Sequence, residues 1–120
     1  MDDVLSYFGE ILIRQVRDRT IREFDKIVTG NMNDESSQKL FKEIQQMSND
    51  HQEIINKIIP EIVDLCIDNL LCMLDDYADD IKVQIENENI SEISDGLAGE
   101  LYTEDGWIQK YSKQRYEEDI

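Results

Sequence analysis

A chain of 120 residues with 28 acidic and 12 basic side chains, net charge −16, has room for one domain that buries about two-thirds of its unfolded surface. That charge excludes the usual electrostatics of nucleic-acid and anionic-membrane binding, and it suits a basic partner, cations or solubility alone. One proline and five glycines among abundant leucine and isoleucine predict a mostly helical class.

The charge has a location. Residues 1–30 hold five bases and six acids, residues 31–60 three and five, and residues 107–120 three of each. Residues 61–106 hold fourteen acids against Lys82 alone. Cys66 and Cys72 lie about 120° apart on a helix and lack redox or zinc spacing, so two free thiols in a reducing compartment are expected. The start, MDDVLSYF, has no basic region or signal-like apolar run, and no stretch is long enough to span a bilayer. A cytoplasmic protein is expected.

In chain order, Asp2 and Asp3 open a first helix. Val4, Phe8, Ile11, Leu12 and Val16 form its first apolar face. Ile21, Phe24, Ile27 and Val28 form a second, displaced by roughly half a turn or less. Between them stand Arg14, Arg17, Arg19 and Arg22, for which internal pairing with Asp18, Glu23 and the acidic block is expected over anion binding. The helix either bends there or meets two neighbours. Gly30 supplies its stop.

Asn33 or Asp34 caps a second helix carrying Leu40, Phe41, Ile44 and Met47. Asp50 with Glu53 has the form of a cap for a third, central helix over about 50–78. There Ile59, Ile62, Val63, Cys66, Ile67, Leu70, Met73, Leu74 and Tyr77 share the expected core face. Glu61, Asp64, Asp68, Asp75 and Asp79 form an acidic ridge on the opposite side. Pro60 predicts a kink without an end, because the apolar pattern crosses it in phase.

After Asp80 the period becomes two. Ile81, Val83 and Ile85 alternate with polar residues, Asn87-Glu88-Asn89 turns, and Ile90 and Ile93 return, which predicts one β-hairpin over about 81–93. Leu97 and Leu101 make one helical turn. Thr103 to Gly106 starts a last helix with Trp107, Ile108 and Tyr111 on one face, and Glu117 to Ile120 is expected to fray. The fold class is α+β, predominantly α: three or four helices around the central one, one hairpin and a C-terminal helix, in a single domain over 1–120.

No catalytic set is expected. Asp75-Asp76-Tyr77-Ala78-Asp79 has the DDxxD spacing that holds magnesium against a diphosphate, but the chain is short for the cavity such chemistry needs. Glu61 and Asp64 add a pattern used by small all-helical magnesium-dependent nucleotide pyrophosphohydrolases, yet they project away from the apolar face where such ligands point inward. His51, the sole histidine, lies about 22 Å from Cys66 along a helix. No metal or cofactor is therefore expected.

The acidic ridge remains as a contact surface. Asp75, Asp76, Asp79 and Asp80 crowd a helix C-terminus, where each is unfavourable by about 0.3–1 kcal/mol. Such a locally costly arrangement suits compensation by a basic partner. The contact residues expected are Asp68, Asp75, Asp76, Asp79 and Asp80, extended by Glu86 and Glu88 on the hairpin, with Leu65, Asn69 and Cys72 bordering them.

The small size, overall acidity and helical build resemble bacterial immunity proteins, inhibitors of toxins. The segment Ser94-Asp95-Gly96-Leu97-Ala98-Gly99-Glu100-Leu101-Tyr102, continuing through Glu104-Asp105-Gly106-Trp107-Ile108 and Tyr111-Ser112, is similar to a motif of small uncharacterised bacterial proteins to which no activity attaches. The chain departs from immunity proteins of colicin nucleases, which are shorter and lack a hairpin, so no functional residue carries over. The resemblance implies a non-enzymatic inhibitor that covers the active site or substrate groove of a basic toxin, a nuclease for example. A nucleic-acid mimic acting on a defence effector and the magnesium-dependent hydrolase are the alternatives.

Overall fold

A computed structural model describes residues 3–102 and 104–115. The predominantly α, α+β class is as expected, with one small antiparallel hairpin. One helical rod opens the chain. It comprises α1 (Val4–Leu12), a π-helical segment (Ile13–Asp18) and α2 (Arg19–Val28). Asp3 caps it by accepting from the amides of Leu5 and Ser6.

The π segment accounts for the two displaced apolar faces. A π turn fits one more residue per turn than an α turn, so it sets the following residues back by about 100°. That rotation brings Ile21 and Val28 round towards the side that buries Leu12 and Ile13. The rod runs on, its first helix against residues 90–93 and 107–111 and its second against residues 35–45 and 49–76, so it meets different neighbours along its length, one of the two outcomes expected. Gly30 ends it with φ at 78°, and a β-carbon there would lie 2.8 Å from the Phe41 ring.

Asp34 caps α3 (Glu35–Gln45) through the Ser37 amide. Ile44 is buried and Phe41 half-buried, whereas Leu40 and Met47 face solvent. The long helix α4 (Asn49–Asp76) is capped two residues before the expected Asp50: Ser48 is the N-cap, accepting from the His51 amide. The helix runs on through Pro60. Proline has no N–H to give the carbonyl one turn back, and that carbonyl, on Asn56, accepts from Arg115 Nε at 3.2 Å.

The expected core face of α4 needs correction. Its buried residues are Pro60, Asp64, Ile67, Leu71 and Leu74. Ile62, Cys66, Leu70, Met73 and Tyr77 are exposed. Isoleucine and leucine occupy most of this helix's circumference, so apolar periodicity alone leaves its rotation open. The rotation observed brings Asp64 to a buried arginine.

The hairpin is smaller than expected. β1 (Gln84–Ile85) pairs with β2 (Glu88–Asn89), Gln84 opposite Asn89 and Ile85 opposite Glu88. The turn is Glu86-Asn87, both with positive φ, as a two-residue primed turn requires. Asn89 is not a turn residue. It caps α5 (Ile90–Ile93), accepting from the Ser91 amide.

A 3-10 turn (Ala98–Glu100) and α6 (Trp107–Tyr111) follow. The core gathers Leu12, Ile13, Ile67, Leu71, Leu74, Ile90, Leu97, Leu101, Trp107 and Ile108 between the rod, the second half of α4 and these C-terminal pieces. Trp107 lies against Gly9, where a β-carbon would strike the indole, and meets Phe8 edge-to-face at 5.9 Å. Trp107 and Ile108 thus pin α6 to the body. Asp2, Thr103 and Glu117 to Ile120, assigned above to caps and a frayed end, lie outside the described residues.

Candidate partner-binding surface

The acidic ridge divides into carboxylates that hold the fold and carboxylates that face solvent. Asp64 belongs to the first kind. Arg17, fully buried in the π segment, donates from Nε to Asp64 Oδ1 at 2.6 Å and from Nη2 to Oδ2 at 3.3 Å. It also meets Ser112 Oγ at 2.8 Å, the Arg115 carbonyl at 2.8 Å and Asp18 at 3.5 Å. Asp18, also buried, accepts from Ser112 Oγ and the Lys113 amide.

Burial raises the Asp64 pKa, and nearby Asp18 adds to that, while hydrogen bonds and charge from Arg17 oppose it. Arg115 then grips Asp25 with both terminal nitrogens at 3.0 Å. No buried side-chain nitrogen or oxygen lacks a partner among the described residues. The internal pairing expected for the arginine cluster holds for Arg14 with Glu10, Arg17 with Asp64 and Asp18, and Arg19 with Glu23.

Asp75 also works inward. Its two carboxylate oxygens accept from the amides of Leu97 and Ala98, at 3.0 and 3.3 Å, and so cap the 3-10 turn from across the fold. Half-buried, it positions the end of α4 more than it presents charge.

The remaining expected residues face outward. Asp76, Asp79, Asp80, Glu86 and Glu88 are exposed and Asp68 is half-buried. Among the described residues, no ion pair engages any of these six. They follow one another along the last turns of α4, the turn after it and the hairpin tip. Val83 and Ile85 pack that hairpin onto the core. Leu70, Met73 and Tyr77 are exposed on the same stretch of α4. Their density shows at Cys72, whose thiol pKa is raised by partial burial and then by Asp68, Asp76 and Asp75.

Two recesses flank the middle of α4. One, about 270 Å³, is lined by Glu61, Asp64, Leu65 and Tyr102. The other, about 240 Å³, is lined by Val16, Thr20, Ile62, Val63, Cys66 and Ile67 and is almost wholly apolar. Among the described residues, no three carboxylate, thiol or imidazole groups converge on a point that could hold a metal ion. Asp64, one of the two carboxylates of the hydrolase pattern, is held by Arg17.

The Arg17 network was not legible in the sequence as a unit, since its members stand up to 98 positions apart. No helix among the described residues is long and apolar enough to cross a membrane. Compared with family models, curated proteins and solved structures, the chain matches none.

Proposed function

We propose that the chain is a non-enzymatic binding protein of the immunity type, which neutralises a basic bacterial toxin, such as a nuclease, by covering its active site or substrate groove in the cytoplasm. The observation that carries this reading is the set of carboxylates without an ion-pair partner among the described residues, from Asp68 and Asp76 through Asp79 and Asp80 to Glu86 and Glu88. Exposed Met73 and Tyr77 beside them supply apolar area. Carboxylates steer a cationic groove into place, and apolar contact slows its release. Asp75 holds the end of α4 against residues 97–98 and so sets where the others project.

The test is to isolate what co-purifies from the native host at low salt, and then to measure its affinity for the variant Asp76→Lys, Asp79→Lys, Asp80→Lys. Loss of about tenfold or more, mostly in the association rate and shrinking as salt is added, is expected. Unchanged affinity for every basic partner found would sink the reading. Capture of a nucleic-acid-binding effector, with DNA competing for it, would favour the mimic. Magnesium-induced thermal stabilisation with diphosphate release would favour the hydrolase.

A further inference from the structure

The middle of α4 follows a second pattern, independent of the carboxylates at its end. With Ile55 placed at position a of a seven-residue repeat, the five residues that α4 buries in its own fold all fall at c and f: Asp64 and Leu71 at c, Pro60, Ile67 and Leu74 at f. Positions a and d fall on the other side. They hold Ile58, Ile62, Leu65 and Asn69, all exposed, and Ile55 and Cys72, both half-buried, with Ile55 lining a recess beside Val28 and Ile44. Ile62 is 56% exposed and Leu65 58%. A helix that is apolar on both sides is normally covered on both, and this one is covered on one.

The dimensions agree. A chain of 14.1 kDa folded compactly exposes about 6,700 Å²; this one exposes 7939 Å². Its radius of gyration is 16.8 Å, against about 13.6 Å for a compact domain of this length. The surplus area exceeds the roughly 800 Å² per subunit that a stable interface of ordinary size buries.

We infer that the a/d seam of α4 is a self-association surface, on which a second copy of this chain packs its own α4 in the antiparallel sense about a two-fold axis near Pro60. The direction follows from charge. Parallel helices would lay two 61–106 blocks, each with fourteen acids against one base, side by side. Antiparallel helices send those blocks to opposite ends. The register follows from matching apolar to apolar: Ile55 meets Leu65 of the second copy, Ile58 meets Ile62, and polar Asn69 meets His51. Glu61 and Asp68, at the g positions, then flank the seam, and their repulsion weakens as salt is added. The dimer presents its two acidic ends outward, clear of the seam.

The test is the mass of the full chain in solution by sedimentation equilibrium, from low micromolar to near-millimolar concentration. A mass twice that of the chain, favoured by added sodium chloride, is expected. Ile62→Glu and Leu65→Glu should each return the mass to one chain with the helical circular dichroism retained. A variant that loses its helix is replaced by His51→Cys, Asn69→Cys, with Cys66→Ser and Cys72→Ser. These two positions lie about 27 Å apart along one helix, so a disulfide formed in glutathione redox buffer must join two chains.

A chain that stays single at every concentration overturns the inference. So does a dimer indifferent to both glutamate substitutions, or one without the 51–69 crosslink. A single chain whose seam binds a basic amphipathic helical peptide made of leucine and lysine gives the face to a foreign helix instead. Reversal of Asp76, Asp79 and Asp80 should leave the doubled mass intact, so this inference and the proposed function fail separately.

Discussion

Removing the Arg17 guanidinium would leave Asp18 and Asp64 buried without their cation. Leaving a charge uncompensated inside a protein costs about 3–5 kcal/mol. Arg17→Met should therefore lower the urea midpoint steeply, while Arg17→Met combined with Asp64→Leu should recover part of the loss. In the single variant the Asp64 pKa, already raised by burial, should climb further, because the two influences that lowered it came from Arg17. Titration of the Asp64 carboxyl carbon by NMR would show both shifts. The linkage has a definite sign. Asp64 binds its proton more tightly folded than unfolded, so its contribution to stability declines as pH rises from the ordinary value of 3.8 through the raised one. The helix caps Asp3 and Asp34 behave oppositely. Hydrogen bonds from Ser6 and Ser37 lower their pKa, so their contribution is complete above 3.8 and is lost as pH falls through the lowered values.

Among the elements, those set by neighbours in sequence were legible and those set by distant partners were not. The caps at Asp3 and Asp34, the stop at Gly30, the passage through Pro60 and the apolar side of α6 all depend on residues within one or two turns. The rotation of α4 depends on Arg17, 47 positions from Asp64, and no periodicity encodes that. The acidic stretch itself was visible as composition, but the inward roles of Asp64 and Asp75 were not. Both are aspartates among aspartates until the amides of residues 97–98 and the buried arginine are in place. The first rod was half legible: its displaced faces announced an irregularity, and the π segment is what that irregularity is. Deleting the exposed Gln15 would remove the one extra residue that the π turn accommodates, so the rod would run as regular α-helix with Ile21 and Val28 still on the core side. The cooperative thermal transition should survive that deletion, and Gln15→Ala should leave stability within about 0.5 kcal/mol of the parent.

At the scale of the whole molecule, a charge of −16 on an elongated body of 49 × 30 × 26 Å works against compactness through self-repulsion. Raising sodium chloride from low to physiological concentration, where the screening length falls to about 8 Å, should raise the melting temperature in scanning calorimetry. A fold held chiefly by surface ion pairs would show the opposite. The body is closed by its far end. Ser112, Lys113 and Arg115 cross from α6 to reach Arg17 and Asp18 on the rod, Asp25 on α2 and the Asn56 carbonyl beside Pro60. Synthesis makes those three positions after every partner they serve. Until they emerge from the ribosome, Arg17 has its aspartates but neither the Ser112 hydroxyl nor the Arg115 carbonyl, and the opening left by Pro60 stays unfilled. A chain growing from its N-terminus therefore carries its helices unlatched until residues 112–115 are clear of the ribosome, and resistance to proteolysis should appear at that point.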